Sequence, residues 1–225
     1  MAEQRVSQLG LTVRGFTGGP FAQNSYLVVC VETKLGILVD AGAAAGEMLR
    51  TADAEGVRIE QIVLTHAHLD HMDGLPLAKR ESRAPVLLHP EDEPLYYAAP
   101  TQAQRFGMEM EPLPPLDGRL SHGEMVRVGN CELQVRHTPG HAPGHVILVG
   151  DGLALVGDCV FAGSIGRTDL PGGDLQQLMK SIRTQILTLS DETALYTGHG
   201  PETTVGHERV SNPFLVPDLG GRGFA

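Results

Sequence analysis

The segment from Thr65 to His71 reads THAHLDH and places three histidines and one aspartate within seven consecutive residues. Imidazole and carboxylate side chains bind first-row divalent metals, so the pattern HxHxDH predicts metal ligands. Extended backbone places residues i, i+2 and i+4 on one side, so His66, His68 and Asp70 can project together while His71 points elsewhere. Four ligands from one short loop cannot easily close a tetrahedron around one ion. The motif therefore requires further ligands from distant parts of the chain.

Three later segments share one form, in which a β-type run ends at glycine beside a ligand-type side chain. The candidates are His141 in TPGH, Asp158 in VGD and His199 in TGH. Glycine lets the backbone turn sharply, so strand ends can direct these side chains toward a shared point. THAHLDH itself follows a predicted buried strand at 59–65, and sites in layered α/β folds lie at the carboxyl ends of strands. We therefore expect one site assembled from several strand ends.

Hairpin and helix patterns follow one another along nearly the whole chain. Apolar runs around glycine-containing turns predict three hairpins, at 26–40, 124–137 and 145–158. Further strands are predicted at 84–89 and 192–197, and helices at 43–56, 73–82, 90–99, 174–189 and 203–210.

Residues 100–123 interrupt this pattern. They combine four prolines with the apolar side chains of Phe106, Met108 and Met110, which predicts a long loop with an apolar face. Two interpretations remain open: the loop is a lid over a substrate, or its apolar residues only hold it against the core.

Length and charge limit the classes of partner. The chain has 225 residues, which suits one domain, and a formal charge of −10 without a run of basic residues. A nucleic acid partner is therefore disfavoured. No apolar stretch approaches the roughly 20 residues of a membrane span, and the N-terminus lacks a signal-peptide pattern, so we expect a cytoplasmic protein without a membrane partner. The three widely spaced cysteines are predicted to be reduced and buried.

The motif order HxHxDH, His141, Asp158 and His199 resembles the metallo-β-lactamase superfamily. Two further segments, GSIGRTDLPGGD at 163–174 and TVGHERVSNPFL at 204–215, resemble the glyoxalase II type of hydrolase, in particular its short, single-domain bacterial members. The resemblance implies an α/β fold, an αββα sandwich of two mixed β-sheets flanked by helices. It also implies that residues 1–225 form one such domain, with metals at one edge of the sheets.

The same resemblance implies a dinuclear centre for two divalent ions. Zinc is the expected metal, with iron or manganese as alternatives. A hydroxide that bridges the ions would attack the carbonyl of a small-molecule thioester such as S-lactoylglutathione, while Asp70 relays a proton. The ligands so implied are, for the first ion, His66, His68 and His141; for the second, Asp70, His71 and His199; and for both, Asp158.

Several residues near the motifs need separate interpretation. Asp40, in LVDAG at a strand end, could accept a hydrogen bond from a ligand histidine or simply form the turn. His145 repeats the His141 pattern in TPGHAPGH, but it begins a strand, so we favour His141 as the ligand. Arg167 in GRTD is the best candidate to bind a carboxylate of glutathione, and an ion pair with Asp169 is the alternative.

The remaining histidines and one cysteine are given structural roles. His137 is expected in the core or beside the ligands, whereas His89, His122 and His207 are expected at the surface or as helix caps. Strand alternation turns Cys159 away from the metals.

Other activities remain open for this motif set. A persulfide dioxygenase has similar HxHxDH, RTD and terminal motifs and would hold one iron with His66, His141 and Asp158. The GHG around His199 and the APGH after His141 favour the hydrolase. The same hydroxide could also cleave a lactone or an ester. A non-catalytic metal-binding module would need no open coordination position. No particular oligomeric state is predicted.

Overall fold

Two six-stranded β-sheets lie at the centre of the protein, whose computed structural model describes residues 10–105, 107 and 109–216. The first sheet is mixed: its first three strands pair antiparallel, and the third to the sixth pair parallel. In spatial order its strands are β1 (Leu11–Gly18), β2 (Gln23–Cys30), β3 (Leu35–Val39), β4 (Arg58–Val63), β5 (Val86–Leu88) and β6 (Gly118–Arg119).

The second sheet contains the two later predicted hairpins. Its first four strands are β7 (Met125–Val128), β8 (Cys131–His137), β9 (Val146–Gly150) and β10 (Leu153–Gly157). A separate two-stranded ribbon follows, formed by β11 (Val160–Phe161) and β12 (Ser164–Ile165). Strand β13 (Ala194–Thr197) then pairs parallel with β10, and β14 (Thr203–Thr204) ends the sheet.

Helices cover both outer faces of the pair of sheets. Within the described ranges none of them is long and apolar enough to cross a membrane. The helices are α1 (Ala45–Ala54), α2 (Leu75–Ser82), α3 (Glu93–Arg105), α4 (Leu175–Ser181), which continues as a π-helical turn (Ile182–Ile186), and α5 (Val205–Ser211).

Three buried apolar clusters separate four layers. Successive residues of β2 point to opposite faces, so Leu27 joins Tyr96 in the cluster under α1 to α3, while Val28 joins Leu148 between the two sheets. Leu178 of α4 lies in the third cluster, on the outer face of the second sheet. These layers confirm the predicted αββα sandwich.

The three cysteines form no disulfide bond and are buried, as predicted. The Sγ atoms of Cys30 and Cys131 lie 3.6 Å apart between the two sheets. Cys159 belongs to the cluster under α4, and its buried position raises the pKa of its thiol. The position of Cys159 agrees with the structural role predicted for it.

The segment 100–123 is more regular than the predicted loop. Helix α3 continues through Pro100 to Arg105, because Tyr96, Ala99 and Ala103 form a buried stripe that extends past the proline. Strand β6 follows, and between them Met110, Leu113 and Leu116 pack against the core. Packing against the core, one of the two interpretations, is therefore observed. Phe106 and Met108 lie outside the described residues.

The strand ends that precede the candidate ligands lie together at one edge of the sandwich. The sheets are joined there by hydrogen bonds from Asn24 N to Gly198 O (2.8 Å) and from Val146 N to Thr65 O (2.8 Å). Gln23 and His199 form a β-bridge between the same sheets. These backbone contacts fix the relative positions of the loops that carry the site.

Candidate metal centre

Three histidines from two loops form the inner part of the site. Ring nitrogens of His66, His68 and His141 lie within 4.8 Å of one another. His68 Nδ1 and His141 Nε2 are 2.8 Å apart, and the His66 ring is fully buried. The fold therefore brings together the three residues expected to bind the first ion.

A second group lies beside the first and faces the solvent more openly. One ligand-type atom each from Asp70, His71 and His199 lies within a second 4.8 Å cluster, and His199 Nε2 is 3.2 Å from Asp70 Oδ2. The exposed fraction of the His199 side chain is 27 %, whereas His71 is fully buried.

Asp158 lies between the two groups. Its Oδ1 is 3.3 Å from His71 Nε2, and its Oδ2 is 3.4 Å from His141 Nε2 and 3.5 Å from His199 Nε2. The carboxylate thus contacts both clusters, which is the position expected for a shared ligand.

Three atoms of these groups are buried without a hydrogen-bond partner, namely His66 Nε2, His71 Nε2 and Asp158 Oδ1. An unsatisfied buried polar atom costs about 1–3 kcal/mol, so three at one point need a common explanation. Imidazole nitrogens and carboxylate oxygens are ligands for divalent first-row metals. The side chains present therefore fit a dinuclear divalent-metal centre.

The outer ring nitrogens of the candidate ligands are held by the surrounding protein. His141 Nδ1 donates to Arg167 O (2.7 Å), and His199 Nδ1 donates to Phe21 O (3.0 Å). A carbonyl oxygen can only accept, so the Nδ1 atoms of His141 and His199 carry the protons and their Nε2 lone pairs face the centre.

Asp40 orients another part of the site. Its carboxylate accepts hydrogen bonds from Thr65 N (2.7 Å), Thr65 Oγ1 (2.7 Å) and His71 Nδ1 (2.9 Å). Because the Thr65 hydroxyl donates to Asp40, it accepts from His66 Nδ1 at 3.0 Å. Asp40 therefore fixes His71 directly and His66 through Thr65, as the first of the two interpretations of Asp40 predicts.

Asp92 joins the two ligand-bearing loops, a role that the sequence did not reveal. Its Oδ2 accepts from Ala67 N (2.9 Å) within THAHLDH, and its Oδ1 accepts from Gly144 N (2.5 Å) beyond TPGH. Burial raises the pKa of Asp92, although both backbone hydrogen bonds oppose that shift. A Cβ atom at Gly144 would lie 2.6 Å from Asp92 N, so this close approach requires glycine.

His145 is buried beside the centre but is not part of either ligand cluster. Its Nε2 accepts from Asp158 N (3.1 Å), and its Nδ1 is 2.8 Å from Thr138 Oγ1. Because both nitrogens are engaged, His145 orients the backbone of Asp158. The geometry therefore supports the choice of His141 over His145.

The two groups differ in electrostatics. Burial lowers the pKa of His68 to about 3, and the neighbouring His141 adds to that shift. Burial alone would also lower the pKa of His71, but the carboxylates of Asp158 and Asp70 outweigh it and raise that pKa well above its ordinary value. For Asp158, burial is outweighed by His71 and other histidines, which hold its pKa below its usual range.

A further group of His89, Glu91 and His137 has ligand-type atoms close together. The two imidazole rings are stacked, with centroids 4.1 Å apart and planes inclined by 15°. Lone pairs lie in the ring planes, so two parallel rings cannot both direct theirs at one ion. His89 Nδ1 instead accepts from Glu91 N (3.4 Å), which agrees with the predicted capping role, although His89 is buried and the surface alternative is wrong.

The other residues with separate interpretations lie toward the surface. His122 is exposed, and its Nδ1 accepts from His137 N at 3.1 Å. His207 lies in the first turn of α5, where its backbone N donates to Thr204 Oγ1, the cap of the helix. The Arg167 side chain donates two hydrogen bonds of 2.7 Å to Asp169, the ion pair considered as its alternative role, and this contact lowers the pKa of Asp169 to about 2.

Comparison with known proteins places this arrangement in a family. The chain matches the family model of the metallo-beta-lactamase superfamily over residues 18–199. It is 35% identical over 204 residues to the hydroxyacylglutathione hydrolase GloC of Haemophilus influenzae, with 87% of this chain and 93% of that protein covered.

Solved structures agree. TTHA1623, in a di-iron-bound form, shares 40% sequence identity and has a TM-score of 0.81, with 90% of this chain and 100% of that chain covered. The BLEG-1 B3 metallo-beta-lactamase has a TM-score of 0.82 at 33% identity, with 91% and 99% covered. The protein therefore belongs to the metallo-beta-lactamase superfamily.

Proposed function

We propose that the protein is a metal-dependent hydrolase that cleaves a small-molecule thioester, with S-lactoylglutathione as the reference substrate. The observation that carries the proposal is the convergence of two His and Asp clusters around Asp158, at the floor of a cavity. The 35% identity to a protein named hydroxyacylglutathione hydrolase supports the thioester class.

The chain would hold two divalent ions, for which we propose zinc. When bound, such ions polarise a carbonyl group and lower the pKa of water from about 15.7 to about 7, which supplies hydroxide at neutral pH. The protein named TTHA1623 was solved with two irons, which makes iron the first alternative to test. The proposed ligands are His66, His68 and His141 for one ion, Asp70, His71 and His199 for the other, and Asp158 for both.

Asp70 is the residue that we propose to relay a proton. It lines the cavity, and its Oδ2 lies 3.2 Å from His199 Nε2. Burial opposes ionisation of Asp70, but His71 and His199 outweigh it and hold the pKa of this carboxyl below its ordinary value. Asp70 is therefore ionised at neutral pH and can accept a proton from the attacking water. Asp158 is engaged by three histidines and is the poorer candidate.

Arg167 is proposed to bind an anionic group on the thiol half of the substrate. It lines the cavity at its exposed rim, where its side chain is 62 % exposed. Its partner Asp169 is 68 % exposed, so solvent screens the ion pair and a substrate carboxylate could replace Asp169 at little cost.

Elemental analysis paired with a thioester assay tests the proposal. The protein is purified without added metal, stripped with a chelator and reconstituted separately with zinc, iron(II) and manganese. We expect about two ions per chain, loss of thiol release after chelation and recovery after reconstitution. Failure of the reconstituted protein to hydrolyse any thioester, lactone or ester would overturn the proposal.

Two other outcomes would assign a different reaction. About one iron per chain, with oxygen uptake on glutathione persulfide, would identify a dioxygenase that uses His66, His141 and Asp158. Cleavage of lactones or esters without cleavage of thioesters would keep the metal chemistry and change the substrate class.

A further inference from the structure

A cavity of about 440 Å³ opens directly onto the candidate metal centre. Small-molecule sites commonly enclose about 300–1,000 Å³, so a substrate-sized ligand fits here. The cavity is thus the space in which a substrate carbonyl would meet the ligands. The residues that form its floor are His68, Asp70, His141, Asp158 and His199.

The walls above this floor are apolar and come from separate parts of the chain. Helix α3 contributes Leu95, the ribbon β11–β12 contributes Phe161 and Ile165, and the segment before α4 contributes Leu170 and Pro171. Leu95, Phe161 and Leu170 are only partly buried. Partly exposed apolar side chains around a concave surface favour a ligand that covers them, because the covered surface is removed from water.

Charged side chains are sparse on the same walls. Among the described residues that line the cavity, Arg167 is the single Lys or Arg, and its guanidinium is bonded to Asp169. Gln102 and Ser164 add uncharged polar groups. A carboxylate or phosphate held against the apolar wall would lose its hydration without gaining a cation.

We propose that the apolar wall selects the acyl half of the substrate, and that the preferred thioesters carry an uncharged aliphatic acyl group longer than lactoyl. Glutathione carries two carboxylates, so the thiol half suits the exposed rim at Arg167 and does not suit the wall. A lactoyl group has three carbons and a hydroxyl, and it covers less apolar surface than a longer chain. This inference rests on the proposed thioester hydrolysis and adds the identity of the acyl group.

Acyl selectivity is measured on metal-reconstituted, full-length protein. The substrates are acetyl, butanoyl, hexanoyl and octanoyl thioesters of one uncharged thiol, N-acetylcysteamine, so that only the acyl chain varies. We expect kcat/KM to rise about two- to fourfold for each added methylene until the wall is covered, since full burial of one methylene corresponds to about fourfold.

Matched substitutions locate the effect on the wall. Leu95→Asn and Leu170→Asn replace an apolar side chain with a polar one of similar size and should each lower the hexanoyl-to-acetyl ratio of kcat/KM at least about fivefold. Leu175→Asn is the control, because Leu175 of α4 is 48% exposed and lies outside the cavity lining. The control should leave the ratio unchanged. Circular dichroism checks folding, and Leu170→Asn carries the test if Leu95→Asn does not fold.

Binding of S-alkyl N-acetylcysteamine thioethers gives a readout that needs no hydrolysis. These thioethers keep the chain but lack the carbonyl, and calorimetry measures their Kd on metal-reconstituted protein. Kd should fall from the methyl to the hexyl thioether in the unsubstituted protein, with a negative heat-capacity change, and the fall should be much smaller in Leu170→Asn.

The outcomes separate the acyl inference from the proposed function. Hydrolysis of thioesters with a flat or falling dependence on acyl length overturns the inference and leaves thioester hydrolysis in place. Absence of all thioester hydrolysis, that of S-lactoylglutathione included, overturns the proposed thioester class, and the thioether series then tests whether the wall binds an aliphatic group. A Kd that does not change with alkyl length would overturn the assignment of the wall to an aliphatic group.

Discussion

The floor and the walls of the cavity differ in burial and in the contacts that hold their side chains. In the metal centre to which the floor belongs, the His66 and His71 rings are fully buried, and their Nδ1 atoms are fixed through Thr65 and Asp40. On the walls, Leu170 is only partly buried and belongs to none of the core clusters. A change on the floor should therefore disrupt the reaction, whereas a change on the walls should alter substrate choice within an intact fold.

The largest effect is expected for Asp158→Asn. Asparagine places an amide NH₂ donor where a carboxylate oxygen contacts both clusters, so at least one ion should be lost. We expect kcat/KM to fall at least about a thousandfold, equivalent to about 4 kcal/mol. Elemental analysis and the thioester assay measure both consequences. Asp151→Asn, the same change in the exposed β9–β10 turn, is the matched control and should have no effect. Full metal content in Asp158→Asn would contradict the bridging role.

A smaller but still large loss of metal affinity or activity is expected for Asp40→Asn, because Asp40 contacts the candidate ligand His71. Its backbone φ is +53°, a left-handed conformation that asparagine also tolerates, so Asp40→Asn removes charge without straining the turn. Loss of the carboxylate leaves His71 Nδ1 and Thr65 less firmly held. Metal affinity or kcat/KM should decrease about 10–100-fold, the usual cost of losing a group that orients a metal ligand. Unchanged metal affinity would show that Asp40 serves only the turn.

Much of the metal centre could be predicted from the sequence because its signals are local. The run THAHLDH and the glycines at strand ends located all seven ligand candidates, the family resemblance divided them between two ions, and the strand-end position of Asp40 indicated one of its two possible roles. An extended THAHLDH would point His71 elsewhere, but the short 3₁₀-helical turn Leu69–His71 brings its ring to the centre. Asp92 could not be predicted, because HPEDE reads as an ordinary helix start and its partners, Ala67 N and Gly144 N, come from loops remote in sequence.

The edge strand β1 and the start of α4 were less predictable for a different reason. β1 contains Gly15 and Gly18, which weaken its strand pattern, yet it pairs with β2 along its full length. The sequence pattern predicts a single regular helix at 174–189, but a π-helical turn follows α4, and Leu175 at the start of α4 is exposed. Tertiary packing determines strand pairing and side-chain exposure at such positions, and it cannot be read from the local pattern of a single sequence.

The buried carboxylate of Asp92 tests whether metal binding depends on the link between the THAHLDH loop and the loop that follows TPGH. In Asp92→Asn only one side-chain oxygen remains to accept from Ala67 N and Gly144 N, so one buried N–H loses its acceptor. The free energy of unfolding should fall by about 1–3 kcal/mol, measured by urea denaturation. Because the loops carry ligands for both ions, metal affinity should fall as well. A variant with lower stability but unchanged metal affinity would mean that Asp92 supports the fold alone.

At the exposed rim of the cavity, Arg167→Ala should act on binding and leave the chemical step unchanged. If Arg167 binds a carboxylate of the thiol half, KM for S-lactoylglutathione should rise about fivefold while kcat stays constant, equivalent to about 1 kcal/mol. Asp169→Asn frees the guanidinium from its present partner, so it should lower KM. The same shift of KM in both variants would rule out the proposed exchange of partners. Thioesters of N-acetylcysteamine, which carry no carboxylate, should be unaffected by either substitution.

The smallest effect is expected at Asp117, away from both floor and walls. Its carboxylate accepts from Lys79 Nζ (2.7 Å) and Val86 N (2.8 Å), and the Lys79 contact is the larger cause of its lowered pKa. Because the folded pKa lies below the unfolded value of about 3.9, the ionised form stabilises the fold above that pH, and this stabilisation fades as pH falls through the folded pKa. Asp117→Asn should cost at most about 1 kcal/mol at pH 7, since solvent screens the pair, and nothing at a pH below the folded pKa. The free energy of unfolding could instead fall at pH 7 by as much in Asp117→Asn as in Asp92→Asn. That result would show that burial does not explain the larger effect expected for a buried carboxylate.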